Sequence, residues 1–559
     1  MTMKANNFYL NILAAGMLAI TTGCAGAHDT ENSNETGTAA ETSTALISFA
    51  SISPDAAAKH TPLTRTSMDG HQYLTGCDFF WEPGDKIYVR DDNATMQNSG
   101  TNSNITATQP TARFHVPGAY TASNTYEVYY TGTAATATSA NVTIATAQTQ
   151  TAPNTAKHIG ASGDCGTATA TRIAGDHFEF MLDHKAAYLC FLPRITNAAL
   201  GQNVYLTKIV VKSDNAIAGD YLLSLAGLSS APAANAATEI TLTTQGTGTV
   251  NGPWSPVTNS YAQIPAPGFP LSNTVTSLAT NAAYMVIAPG THSITIDYYI
   301  KDPVTNVEGT VSKTLPANKL FEANKVYDIT ANLTPRDYSD RKYYMWDAQQ
   351  DYWNGVSDHP TVNGQSNDNY PQSSDFNRWY NMAVFPAIAS HSCQACPNVN
   401  ELYWYVQYGN PHWDTETLWS TMGHLYNLGV WYKKQSVIAA EHSKSVNDLK
   451  EKSPDNIDYR TYIGVDQGYY RNTSLAMGKP VNSDNFFYLP ATGFADSYGI
   501  FGTRLDVGGI GMFGFYWSCT SSRNNSKAYY LYFGNNHEGI YSDFSVHSRT
   551  FGFPILITQ

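Results

Sequence analysis

From residue 45 to about 335 the chain reads as short runs in which apolar and polar residues alternate, separated by loops of Thr, Ala, Gly and Asn. The clearest run is 293–300. Ile294, Ile296, Tyr298 and Ile300 fall on one side and Ser293, Thr295 and Asp297 on the other, the period-2 pattern of a strand with one buried face. Runs at 86–89, 126–130, 141–144 and 204–211 are similar. No helical periodicity intervenes, so the pattern predicts β-sandwiches rather than a parallel sheet with crossover helices. After residue 340 the pattern changes. Val399, Leu402, Tyr405 and Val406 fall at i, i+3, i+6 and i+7, predicting a short amphipathic helix over 397–407 with Asn398 as its cap. Leu418, Trp419, Met422, Leu425 and Tyr426 predict a second helix, capped by Asp414 and ended by Gly429. Gly-rich turns and a final β region follow. The predicted fold class is mainly β.

The amino terminus has a different pattern. Lys4 precedes an apolar run, Phe8 to Ile20, too short for a transmembrane helix and suited to a signal-peptide core. It ends in Ala19-Ile20-Thr21-Thr22-Gly23-Cys24. Small residues immediately before a cysteine resemble a bacterial lipobox. That resemblance makes residues 1–23 a lipoprotein signal peptide and Cys24 the lipid attachment site. Several acyl chains on one residue satisfy the two-signal requirement for stable anchoring. No later stretch of about 18 apolar residues exists, so the lipid is the expected membrane attachment. Residues 24–44, rich in Ala, Gly, Thr, Glu, Asn and Ser, read as a flexible tether. Ala25 suits sorting to the outer membrane, and the expected location is the cell surface.

Composition narrows the partners. Only 14% of the 559 residues are charged, against about 25% on average, and Ser, Thr and Asn carry the polarity. The net charge of −13 and the absence of any Lys/Arg-rich run exclude nucleic acid, whose phosphates need clustered cations. The 37 Tyr and 10 Trp argue against wholesale disorder. Eight of those Trp lie after residue 340, which places a boundary at 336–342. Besides Cys24, six cysteines are too few for a disulfide scaffold. Their spacing leaves open Cys165–Cys190, Cys393–Cys396 or Cys396–Cys519 bridges.

Two families come into view. Thr64-Arg65-Thr66, the run Phe80 to Val89 (FWEPGDKIYV), Phe178-Glu179-Phe180, His184 to Ala187, Pro289-Gly290-Thr291 and Phe321 to Leu333 together resemble fimbrillin-like (type V pilus) lipoproteins of Gram-negative anaerobes. The resemblance covers residues 45–335. It implies two tandem transthyretin-like β-sandwiches, at 45–193 and 194–336. It also implies assembly by strand exchange: a protease cuts after an arginine, here Arg65, and removes the first strand. A strand of another fimbrial subunit then fills the exposed groove. Leu46 to Ile52 is the matching removable strand. Otherwise it is a permanent strand and Arg65 a loop residue.

Near the carboxyl end, Gly514 to Ser518 (GFYWS), Ala528 to Phe533 (AYYLYF) and Arg549 to Ile555 (RTFGFPI) resemble a recurrent C-terminal module. It is the C-type-lectin-like or Fibrobacter succinogenes major paralogous domain, with an α+β fold over 340–559. A Pro-Ile-Leu ending departs from that pattern and leaves the terminal strand open. More than 200 residues after the second sandwich imply a tip or accessory adhesin that accepts a strand and ends the fibre. Its partners would be other subunits, the outer membrane through the lipid, and a glycan or protein receptor. The alternative is a surface lipoprotein that binds glycans and does not polymerise. Exposed aromatics suit sugar C–H faces, but the sequence assigns no carbohydrate-binding residue.

Catalysis is not expected. Gly509 to Gly514 has the spacing G-x-G-x-x-G, but no strand–turn–helix context follows, so no cofactor is expected. His391, Cys393 and Cys396 lack a second ligating pair for a metal. A local disulfide or free thiols is the better reading. His412-Trp413-Asp414 reads as a loop and helix cap.

Overall fold

Forty-two strands, six short α-helices and one 3-10 turn make up the regular structure of the described residues. The computed structural model describes residues 46–52, 67–74, 76–133, 137–138, 140–255, 257–356, 370–464, 469–496, 499–501, 509–536 and 539–556, all within the unit Ala45–Gln559. The chain is therefore mainly β, as the alternation predicts. The 293–300 run becomes the strand Ile294–Asp302, with Ile294, Ile296, Tyr298 and Ile300 fully buried. Asp297, on the polar side, is also covered, because Lys212 Nζ and Ser312 Oγ donate to its carboxylate at 2.8 and 2.5 Å.

The first body is an eight-stranded sheet. It runs Met96–Asn98, Tyr88–Arg90, Thr125–Tyr130, Gly166–Ala174, His177–Phe180, Ile47–Ser51 and Arg113–Val116, with Asp183–His184 also paired to Gly166–Ala174. One core is built from Phe49, Trp81, Phe114, Tyr130, Phe178 and Phe180 among others.

The second body packs a three-stranded sheet on a six-stranded one. The smaller sheet is Ala283–Ile287, Ala187–Arg194 and Val326–Asn332. The larger contains Val307–Thr314, Ile294–Asp302, Tyr205–Ser213, Glu239–Thr244 and Ala147–Gln150, with Phe269–Pro270 beside Tyr205–Ser213. Leu189, Phe191, Val286 and Ile329 from one sheet meet Ile209, Val211, Leu242 and Tyr298 from the other in a shared core. Pro193 lies inside the strand Ala187–Arg194, which pairs on both sides with later strands. Asn141–Ile144 and Ala147–Gln150, in turn, pair with Ala218–Ser224 and Glu239–Thr244. Strands from both sides of residue 193 therefore share sheets.

The free edge of the smaller sheet is closed by side chains. Gln148 Oε1 accepts from Val286 N at 3.0 Å while its Nε2 donates to Val286 O at 2.8 Å. Gln150 does the same for Tyr284 N (2.7 Å) and Ala282 O (2.9 Å). Two buried amides stand in for a missing strand, so the edge offers no unpaired backbone there.

Beyond residue 336 the predicted first helix is Val399–Tyr408, opened by a capping box between Asn398 and Glu401. The predicted second helix does not form. Met422 and Gly423 both take positive φ (52° and 75°), turning the chain into a hairpin of Trp419–Thr421 and His424–Tyr426. Trp419 and Tyr426, opposed across it, stack at 4.9 Å. Because both faces of this hairpin are buried, its apolar spacing mimics a helix. His412–Asp414 is likewise a strand, paired with Gly429–Lys433, and Asp414 caps only a turn, accepting from Glu416 N and Thr417 N. The two aromatic runs form antiparallel strands, Gly514–Ser521 and Lys527–Asn536, extended by Gly539–Ser548 and Tyr470–Asn472. Phe553–Pro554 pairs with Tyr343–Tyr344, and Leu556 is fully buried.

Cys165, Cys190, Cys393, Cys396 and Cys519 are all buried and none is joined to another of them, so none of the bridges that spacing left open is present. Burial pushes the Cys519 thiol up to about 12, leaving it protonated and unreactive at neutral pH.

Candidate strand-exchange groove

Ile47–Ser51 lies between two neighbours that run in opposite directions. It is antiparallel to Arg113–Val116, with Ile47 opposite Val116 and Phe49 opposite Phe114. It is parallel to His177–Phe180, with Phe49 beside Phe178. Alternation decides which side chains enter the core. Phe49 is fully buried, stacked on Phe178 at 4.8 Å and edge-on to Tyr120 at 5.1 Å. Ile47 is buried beside it. Ser51 closes the far end, its Oγ accepting from Trp81 Nε1 and from Ala112 N, both at 2.8 Å. The flanking Leu46 and Ile52 are 48% and 42% exposed, so the strand enters and leaves at the surface. Taking it away would open an apolar groove floored by Trp81, Phe114, Tyr120 and Phe178, with two unpaired backbone edges.

Arg65 and Cys24 lie outside the described residues. The chain is described again from Ser67–Gln72, which forms a hairpin with Gly76–Phe80. This hairpin is fastened elsewhere. His71 Nε2 sits 2.8 Å from Asp328 Oδ1, and Leu74 N donates to Asp328 Oδ2 at 2.7 Å. Burial would raise the Asp328 carboxyl, but the hydrogen bonds from His71 and Leu74 outweigh it and hold it below the usual carboxylate range. Cys190 joins His71 and Asp328 so that one ligating atom of each lies within 4.8 Å of the others. Three such atoms could receive a cation, yet the His71–Asp328 pair already satisfies two of them. The strand before Arg65 and the hairpin after it are thus held by different parts of the protein.

The other sequence candidates serve packing. In 509–514, Ile510 bridges to Thr492, and a Cβ on Gly514 would lie 2.1 Å from the Phe533 ring. His391 is half-exposed, 3.5 Å from the buried Asp347 carboxylate. Asp347 also accepts from the backbone amides of Ser390, His391 and Cys393, so this segment is a braced loop. Arg549, from the C-terminal motif, is fully buried over Trp346 and donates to the carbonyls of Lys527, Asn381 and Ala383. Burial lowers its guanidinium to about 10.

Sequence reasoning missed the Ser51–Trp81 clasp, the His71–Asp328 tie and the two edge-closing glutamines. Ser51, Trp81 and Asp328 stood inside quoted segments, but nothing in those segments assigned their partners.

No protein-family model matches the chain, and no curated protein matches it significantly. Among solved structures, the chain is similar to a candidate cell adhesion protein from Bacteroides ovatus. That match has 13% identity and a TM-score of 0.27, over 52% of this chain and 92% of that one. A candidate cell adhesion protein from Bacteroides uniformis matches at 11% identity and TM-score 0.27, over 52% and 94%. The fimbrial anchor protein Mfa2 from Porphyromonas gingivalis matches at 10% identity and TM-score 0.21, over 51% and 90%.

Proposed function

We propose that this protein is a lipid-anchored fimbrial subunit of the cell surface, a tip or accessory adhesin without catalytic activity. Its groove would accept a strand from another subunit after proteolysis at Arg65. One observation carries the reading. Ile47–Ser51 is an isolated five-residue plug between two strands of the first body, while the segment after Arg65 is held separately through His71 and Asp328. Cutting between them would free the plug and leave the rest seated.

The test is processing. An arginine-specific protease should trim the surface-exposed protein after Arg65, and Arg65→Ala should abolish both trimming and incorporation into fibres. Normal incorporation of Arg65→Ala would remove the proposal. Immunogold label confined to flat membrane would favour the non-polymerising, glycan-binding lipoprotein instead.

A further inference from the structure

The chain carries a net charge of −13, yet one cavity beyond the second body is lined by cations. Arg336, Arg341 and Lys434 border a space of about 410 Å³, within the roughly 300–1,000 Å³ of small-molecule sites. None of the three makes an ion pair among the described residues. Arg336 and Arg341 each sit 4.9 Å from the Tyr338 ring centroid, so one aromatic ring orders two guanidiniums. Arg341 Nη1 additionally donates to Tyr516 Oη at 3.0 Å. The nearby carboxylates are already engaged. Asp414 accepts from Trp431 Nε1, Glu416 N, Thr417 N and Thr417 Oγ1, and Asp337 accepts from Ser339 and Ser420.

The same cavity presents flat apolar surface. Trp431 and Tyr488 are half-buried lining residues with ring centroids 5.0 Å apart. Indole hydrogen-bonded to Asp414 keeps the Trp431 plane fixed, and Lys479 Nζ lies 5.6 Å from that ring. Three cations that border one cavity without an ion pair among the described residues, in a chain of net charge −13, make a favourable place for an anion. Aromatic faces beside them suit a ring whose C–H surface stacks while its substituent carries the charge.

We propose that this cavity binds an acidic saccharide, one or two sugar rings bearing a carboxylate. The carboxylate is held by Arg336 and Lys434, and a sugar face lies on Trp431 and Tyr488. Tyr338 and Arg341 position the Arg336 side of the cavity. This deepens the adhesin reading, on which its biological use rests. Binding in solution is independent of Arg65 processing and of fibre incorporation, so the two can fail separately.

Titration calorimetry of the full chain with a disaccharide of galacturonic acid tests it. The wild type should bind, with affinity falling as salt rises. Arg336→Gln and Lys434→Gln, both at surface positions, should each weaken binding about tenfold, the worth of one charge-assisted hydrogen bond, with unchanged circular dichroism. Trp431→Phe should weaken it less. The methyl-esterified disaccharide should bind at least tenfold more weakly than the acid. Equal binding of acid and ester, no binding of the acid, or unchanged affinity in both Gln variants would overturn the proposal. Tighter binding of hexaglutamate than of the disaccharide would overturn it too and make the cavity an acidic-peptide site.

Discussion

At the scale of single residues, covered polar groups set how the protein responds to its surroundings. His158 donates from Nε2 to Tyr284 O at 2.8 Å, and burial lowers its imidazole to about 4, below the 6.5 of a free histidine. Between those values the unfolded chain takes up a proton that the folded chain refuses. The stability this residue contributes is therefore fully present above about pH 6.5 and is lost as pH falls toward 4. Replacing it with an amide that keeps the hydrogen bond, His158→Gln, should flatten that part of the pH dependence. Urea midpoints of the variant and the wild type, measured from pH 7 down to 4.5, should converge as the solution becomes acidic. Legibility at this scale follows chemistry. Ile294 and Asn398 announce themselves, one by alternation and the other as a helix cap. Gln148 and Gln150 look like ordinary solvent-facing residues, and only a sheet edge distant in sequence reveals that they are buried.

At the scale of elements, the first strand matters most. Its hold rests on Phe49, so Phe49→Ala should cost about 3–5 kcal/mol within the first body. Amide hydrogen exchange should then accelerate at Arg113–Val116 and His177–Phe180, with little change in the second body. Uniform acceleration across both bodies would mean that the plug is not a separate unit. Strands such as Ile294–Asp302 were legible through alternation, and the helix Val399–Tyr408 because Val399, Leu402, Tyr405 and Val406 recur at helical spacing, although Asn400, Glu401 and Trp404 are buried as well. The hairpin of Trp419–Thr421 and His424–Tyr426 was not, because residues buried on both faces lose the alternation that identifies a strand. The groove itself was inferred from resemblance to a family. Nothing in Leu46 to Ile52 distinguishes an interior plug from an edge strand.

For the whole molecule, the second body and the C-terminal region meet around a buried carboxylate. Asp302 Oδ2 accepts from Leu425 N at 3.0 Å and lies 2.8 Å from His424 Nδ1. Asn203 Nδ2 and Thr305 Oγ1 donate to the carbonyls of Gly423 and Leu425. Asp302→Ala would strand His424 and the Leu425 amide, and should cost about 3–5 kcal/mol. Limited proteolysis should then release the region after residue 336 from the sandwiches, whereas the wild type resists. This contact, like the sharing of strands across residue 193, joins positions far apart in the chain, and no local pattern encodes it. The placing of the first strand has one more consequence. Its two neighbours run in opposite directions, so an incoming strand of either orientation meets one parallel and one antiparallel partner. Main-chain bonding alone would therefore not decide which way a filament points. That choice falls to the pockets around Ile47 and Phe49, where resculpting a few side chains would reverse the arrow of assembly while leaving the ladder untouched.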